Sequence, residues 1–410
     1  MSTGIFTTTN LTQDLAKKSF AGMITRLMPN GTAPLFGMTS MLQSETAVAT
    51  EHGFFTKTML LPQVTTYGST HASTDTTINV LSTANILPGM ILQVNNASSR
   101  ENMIVNSVIS ATQITVTRAL SVAAATIPAS TDMYQVGNAF EESSVRPNSL
   151  IINPVRITNY TQIFRNTWAI SDTMRNTMMI AGDTNVSESR QDCAAFHAAD
   201  IEKALFFGQK SQGTRNGQPF RTMDGLINTV SNVNNYPPIY AGVANIFTAG
   251  GTTTYPQLEG FLDPLFNQST DPKVGNERVL FVGGAAKKVI HQVARLATGS
   301  FYQVTDGQTS WGLQYSTVKT SRGQFQMIEH PLFNSNSSWA KMAVGVDLST
   351  FKVAYLGDRK TQNKEFNADS DANDNGIDAV GGTLTTEMTC VIKNPPANGI
   401  TYNLTAGAAG

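Results

Sequence analysis

Only two cysteines, Cys193 and Cys390, occur in the 410 residues. That excludes a disulfide-stapled scaffold, and each reads as a small core residue in a chain suited to a reducing compartment. No stretch approaches the roughly 18 consecutive apolar residues of a membrane-spanning helix. The opening, Met1-Ser-Thr-Gly-Ile-Phe-Thr-Thr-Thr, has neither the positive start nor the apolar core of a secretory leader. The expectation is a protein made and used in a cytoplasm, with no membrane partner. Charge is scarce too, at 14% of residues, against roughly 25% in an ordinary soluble domain. Net charge is −1, and the densest basic pieces are the pairs Lys17-Lys18, Lys287-Lys288 and Arg359-Lys360. Tight binding to nucleic-acid phosphates is therefore not expected. Ser, Thr, Asn and Gln stand where charge is missing. Such a surface suits contact with other subunits, since interface cores deplete Lys, Glu and Asp. A hydroxylated, β-rich extracellular surface is the alternative.

Signatures of chemistry are equally thin. Asp371-x-Asn373-x-Asn375-Gly376 opens like an EF-hand loop, but the twelfth position is Gly382 where a bidentate Glu is required. Asp369, Asp371 and Asp374 read more simply as a solvated Asx-rich turn than as a weak divalent site. Val282-Gly-Gly-Ala-Ala-Lys287 has a strand–glycine–helix outline without the P-loop or dinucleotide fingerprint. The histidines, His52, His71, His197, His291 and His330, show no metal-ligand spacing. His197 and Asp200, one turn apart, read as a helix-surface pair. No catalytic, metal or cofactor-binding residue is assigned, and no cofactor is expected.

What the chain does contain is a long helix. From Ser187 to Gly208 the apolar positions Ala194, Ala198, Ile201 and Leu205 step by four, three and four along one stripe. Glu188, Asp192, Glu202 and Lys203 fall largely off it, and Gly208 stands where a C-cap glycine would. A turn, Thr214-Arg-Asn-Gly-Gln-Pro219, and the phrase Asp224-Gly-Leu-Ile-Asn-Thr-Val230 follow. At this length two to four substructures are expected. Residues 1–45 suggest an arm with a breaker at Pro29-Asn-Gly31, helical over Leu11–Met28. His52-Gly-Phe-Phe-Thr-Lys-Thr-Met-Leu-Leu61 suggests an extended ribbon with large side chains. Between about Gly68 and Gly137, short strands at Thr77–Leu81, Met90–Val94, Met103–Ile109, Gln113–Arg118 and Met133–Val136 predict an inserted sandwich or barrel. A return strand is predicted over Ser149–Ile163. Arg278-Val-Leu-Phe-Val282 predicts a buried strand before a helix over Ala285–Leu296.

The order of these parts resembles the tailed-bacteriophage major capsid proteins of the Hong Kong ninety-seven type. The resemblance rests on Ala33-Pro-Leu-Phe before the ribbon, Asp224-Gly-Leu-Ile-Asn, and Phe351-Lys-Val-Ala-Tyr-Leu356. Gly382-Thr-Leu-Thr-Thr-Glu387 and the inserted Leu87-Pro-Gly-Met-Ile-Leu add to it. It spans nearly the whole chain. It implies an α+β fold with an N-terminal arm (1–45), E-loop limbs (46–67 and 138–152) and an inserted all-β domain (68–137). A peripheral domain (153–212 and 345–410) with a spine helix (187–208) and an axial domain (213–344) complete it. The implied function is structural and not enzymatic: hexamers and pentamers of an icosahedral shell around double-stranded DNA. The implied partners are the protein itself across neighbouring capsomers, a portal, scaffolding or decoration proteins, and packaged DNA through non-specific contact. The implied location is the virion, after assembly in the host bacterial cytoplasm. Phe54, Phe55, Met59, Leu60 and Leu61 would be the ribbon's inter-subunit contacts. Relatives that cross-link use a Lys and an Asn; Lys57 lies in the ribbon, but nothing marks its partner. A β-rich adhesion protein and an encapsulin-like nanocompartment are the alternatives.

Overall fold

Val279, Leu280, Phe281 and Val282 form an unbroken apolar run, the pattern of a strand covered on both faces. The computed structural model bears this out at the centre of a seven-stranded sheet. It describes residues 33–57, 63–94, 100–149, 151, 154–177, 185–232, 245–266, 277–296, 304–310, 313–366 and 377–407. The strand Glu277–Val282 runs parallel to Gln324–Glu329 and antiparallel to Ala343–Val346. Its alternation divides two cores. Val279 and Phe281 join one with Ile328, Val344 and Val346, while Leu280 and Val282 join the other with Phe325, Met327 and Ala343.

Among the described residues the helices are α1 (Pro34–Met41), α2 (Asp172–Asn176), α3 (Asn185–Phe207), α4 (Leu226–Ser231), α5 (Tyr255–Leu262) and α6 (Gly284–Leu296). The first core takes residues from α1, α3 and α4, the second from α5 and α6. A second sheet is built on the long strand Ala379–Ile392. It pairs with Gln162–Ser171, Phe351–Leu356 and Gln362–Phe366 in turn, and Glu45–Ala47 adds to the edge. The return limb therefore holds two strands, Val155–Tyr160 and Gln162–Ser171, in place of the single predicted strand over 149–163.

The chain divides into two compact units. One comprises Met1–Gly53, Thr158–Asn232 and Ala244–Gly410, the other Phe54–Ile157 and Val233–Val243. In the second unit, six strands between Gln63 and Asn138 form one antiparallel sheet. A Thr66–Val80 bridge, with Tyr67 N–H donating to the Asn79 carbonyl and Leu81 N–H to that of Thr65, joins its two ends into a barrel. Closure removes exposed strand edges, so a small insert needs no neighbour to protect it. Glu101 lies fully inside, 2.6 Å from the Arg118 guanidinium, and accepts the Ala119 and Ala125 N–H groups. Burial works against that carboxylate, but these donors outweigh it and hold its pKa below the ordinary value.

The end of α3 required a different argument from the sequence. Gly208 does not adopt the left-handed conformation of a C-cap glycine. Its reason is space: a Cβ there would lie 2.6 Å from the carbonyl oxygens of both Ala204 and Met223. Gly208→Ala is expected to destabilise the chain by about 2 kcal/mol, read as a lower denaturant midpoint; an unchanged midpoint would mean this packing relaxes freely. The left-handed residues come later, at Asn216 and Gly217 (φ 52° and 74°), the centre of a hairpin turn between Ser211–Arg215 and Gln218–Thr222.

Candidate assembly surfaces

The inward stripe of α3 keeps Ile201 and Leu205 from the sequence reading, but its N-terminal half is displaced by one residue. Cys193, His197, Ile201, Glu202, Leu205 and Phe206 are buried, while Ala194 is exposed and Ala198 half-buried. The sheet strand Gln162–Ser171 offers polar as well as apolar groups to this face, which is why a histidine fits there. His197 Nδ1 is 2.7 Å from Asn166 Oδ1 and its Nε2 2.8 Å from the Thr386 hydroxyl. It is thus a buried sheet-binding residue, and the expected surface pair with Asp200 is corrected. Asp200 instead accepts from the Asn166 amide at 3.1 Å.

Burial holds the His197 imidazole below its ordinary pKa of 6.5, with Asp200 opposing the shift. The unfolded chain therefore binds a proton at this residue before the folded chain does. The resulting stability is present above pH 6.5 and is lost progressively as pH falls from there through the depressed pKa of the folded chain. His197→Asn is expected to narrow the gap between unfolding midpoints measured at about pH 7.5 and about pH 5. An unaltered gap would exclude this residue as a source of acid sensitivity.

Glu202, assigned by sequence to the outside, is fully buried. Helix α1 begins after Ala33, which offers no side-chain cap, and Pro34 supplies no N–H. The Glu202 carboxylate takes the role of the missing cap, accepting Leu35 N–H at 2.9 Å and Phe36 N–H at 2.7 Å. His330 Nε2 lies 2.7 Å from the same carboxylate, and its Nδ1 accepts Leu332 N–H at 3.2 Å. That second bond assigns the ring proton to Nε2, which donates to Glu202. The imidazole is walled by Phe206, Phe281 and Phe333, with ring centroids 4.8, 5.8 and 4.6 Å away. A carboxylate from the long helix thus ties residues 34–36 into the aromatic core. No local pattern in the sequence announces this pairing, because its members lie 167 and 128 residues apart.

The ribbon pairs Glu51–Thr56 with Val155–Tyr160. Its root is held firmly. Asn159 donates its amide to the carbonyls of Asp224 and Cys390 and accepts Asp224 N–H at 2.7 Å. Burial, opposed by bonds from Asn228 and Lys210, raises the Asp224 pKa. Lys210 donates to Thr158 at 2.8 Å and lies 4.6 Å over the Tyr160 ring. Glu45 is bonded by Lys393 and faces His52 at 3.4 Å. Farther along, Phe54 is half-buried and Phe55 is 69% exposed. Met59, Leu60 and Leu61 lie outside the described residues.

The other sequence candidates offer less. The 369–376 loop lies outside the described residues, and among those described no group of His, Cys, Asp or Glu is arranged to hold a metal ion. Burial pushes the Cys390 thiol up to about 12, with Asp224 adding to the effect, and its Sγ donates to the Asp224 carbonyl. After the Val282-Gly-Gly turn, Asn334 Oδ1 accepts Gly284 N–H at 2.7 Å, so the start of α6 is already capped. A Cβ on Gly283 would lie 2.4 Å from the Ala340 carbonyl oxygen, so this glycine serves close packing.

A family model described as SU10 major capsid protein matches residues 3–405. The chain is 36% identical over 403 residues to the major capsid protein of Pseudomonas phage PaMx41, covering 96% of this chain and 93% of that one. Among solved structures, that from Mycobacterium phage Cain is similar with a TM-score of 0.46 at 9% identity, covering 98% of each chain. The SrpI encapsulin of Synechococcus elongatus is similar with a TM-score of 0.41 at 9% identity, covering 62% of this chain and 78% of that one.

Proposed function

Because this chain belongs to the SU10 major capsid protein family, and is thus a phage major capsid protein, we propose that its copies form the hexamers and pentamers of an icosahedral shell around double-stranded DNA. One observation carries the detail: a ribbon anchored at its root by Asn159 and Lys210 presents Phe55 at 69% exposure. An isolated two-stranded ribbon is marginal in water, so its apolar side chains are best satisfied by a neighbour. In this reading residues 46–67 and 138–152 are E-loop limbs, 68–137 the inserted domain, and 1–45 the docking arm. Residues 153–212 and 345–410 are the peripheral domain, with the spine at 187–208, and 213–344 the axial domain. Phe54, Phe55, Met59, Leu60 and Leu61 form the ribbon's contacts, and the fold is of the Hong Kong ninety-seven type.

The chain works as structure, without catalysis. It is a component of the virion, assembled in the host bacterial cytoplasm. Beyond its own copies it meets a portal, scaffolding or decoration proteins, and packaged DNA non-specifically. A nanocompartment enclosing cargo is less well supported, because the relative with 36% identity is a phage major capsid protein. Negative-stain electron microscopy of the purified chain, with size exclusion alongside, tests the reading. Closed shells or rings of five and six are expected. A chain that remains monomeric across protein and salt concentrations, with or without a polyanion or crowding agent, would overturn it.

A further inference from the structure

A groove of about 820 Å³ runs along the outer face of α6, lined by Lys287, Lys288, His291 and Arg295 together with Glu329 and Asn334. Its acid is already engaged. Glu329 lies 3.4 Å from Lys287 Nζ and accepts the Asn334 amide at 2.9 Å. Lys288 and Arg295 are exposed, and neither forms an ion pair with a described residue. They are seven residues apart, so two cations project from one helical face about 10 Å apart along its axis. In a chain with so little charge this stripe is conspicuous.

The opposite sign gathers where the central strands of the sheet begin. Glu259 and Asp263 are one turn apart at the end of α5, and Asp263 Oδ2 accepts the Ser321 hydroxyl at 3.3 Å. Ser321 belongs to the turn before Gln324, whose amide is bonded by Glu277 at the start of the central strand. The acids thus cluster where Glu277–Val282 and Gln324–Glu329 begin, whereas the groove opens beside Gly284 and Glu329, where both strands end, and follows α6 as far as Arg295. Six strand residues set its mouth roughly 17 Å from the acids. Burial and Glu259 raise the Asp263 pKa despite Arg322, and burial, Glu259 and Asp263 raise that of Tyr255.

We propose that the α6 groove of one copy receives the Glu259–Asp263–Glu277 shoulder of the next copy around a capsomer. A ring generated by rotation requires a heterologous contact, in which one surface meets a different surface of the neighbour. Opposite charges on two different patches, the outer face of α6 and the shoulder at the end of α5, meet that requirement. The pairing sets register and selects partners more than it supplies net affinity. It rests on the shell reading, and the test below separates the two.

The full-length chain is purified in three charge-reversed forms: Lys288→Glu with Arg295→Glu, Glu259→Lys with Glu277→Lys, and all four together. Wild-type thermal midpoints confirm folding, and assembly is followed by light scattering and electron microscopy. Each pair alone is expected to raise the protein concentration needed for assembly about tenfold at low salt, less at high salt. The fourfold variant is expected to return to within about threefold of wild type, because the complementarity is restored with its signs exchanged. Single-pair variants that assemble like wild type, or a fourfold variant no better than they are, overturn the proposal while leaving the shell reading intact. So does normal assembly of Lys288→Glu with Arg295→Glu combined with lost binding to a double-stranded DNA fragment, which would assign the groove to nucleic acid. A wild-type chain that never associates overturns both.

Discussion

Glu202→Ala is expected to lower the thermal midpoint by roughly 6–20 °C and to open residues 33–41 to protease. The substitution removes the acceptor for three N–H groups, those of Leu35, Phe36 and His330 Nε2. Two of them, with the carboxylate itself, lie where water does not reach readily, since Glu202, His330 and Leu35 are fully buried and Phe36 is half-buried. Removing one partner of such a buried set costs about 3–5 kcal/mol, mostly from the groups left unpaired. Each kcal/mol shifts the midpoint of a domain of this size by roughly 2–4 °C. Glu202→Gln keeps the shape and one acceptor oxygen, so a smaller loss is expected. Differential scanning fluorimetry with limited proteolysis measures both effects. A midpoint within about 1 °C of wild type for Glu202→Ala would show that α1 docks through Leu35 and Met38 packing alone.

Phe55→Asp is expected to leave the subunit folded and to stop shells from forming. A side chain 69% exposed contributes little within its own subunit, and such substitutions usually fall within about 0.5 kcal/mol. In the proposed ribbon contact the same aromatic ring would enter a desolvated pocket, where truncation costs about 2 kcal/mol or more. That cost recurs at every symmetry-related copy, so the closed shell multiplies a modest local loss. Adding Phe54→Asp strengthens the block, with some loss of stability because Phe54 is half-buried. The check is paired: circular dichroism for the fold, sedimentation velocity and electron microscopy for assembly. Wild-type-like shells from the Phe54→Asp, Phe55→Asp chain would remove the ribbon from the inter-subunit contacts.

The long helix, the central strand and the strands of the insert were legible because each advertises a local period. Val279 to Val282 is apolar at every position, and Ile114 and Val116 alternate with Thr115 and Thr117. Those patterns report only which neighbours along the chain share a face. They do not report what the face meets. Glu202 and His197 look like solvent residues by type, and both are buried because groups far away in sequence satisfy them. Gly208 sat at the expected helix end for an unexpected reason, the carbonyls of Ala204 and Met223 leaving no room for a Cβ.

The sequence by itself determined the kinds and order of elements, the lack of a catalytic motif and the family, since these rest on composition and on short-range or ordered patterns. Tertiary structure alone decided the cap that Glu202 provides for α1, the closure of the inserted barrel at Thr66–Val80, and the groove that gathers the α6 cations beside Glu329. Each depends on distances between residues tens to hundreds of positions apart. Packing sets such distances, and no local propensity encodes them.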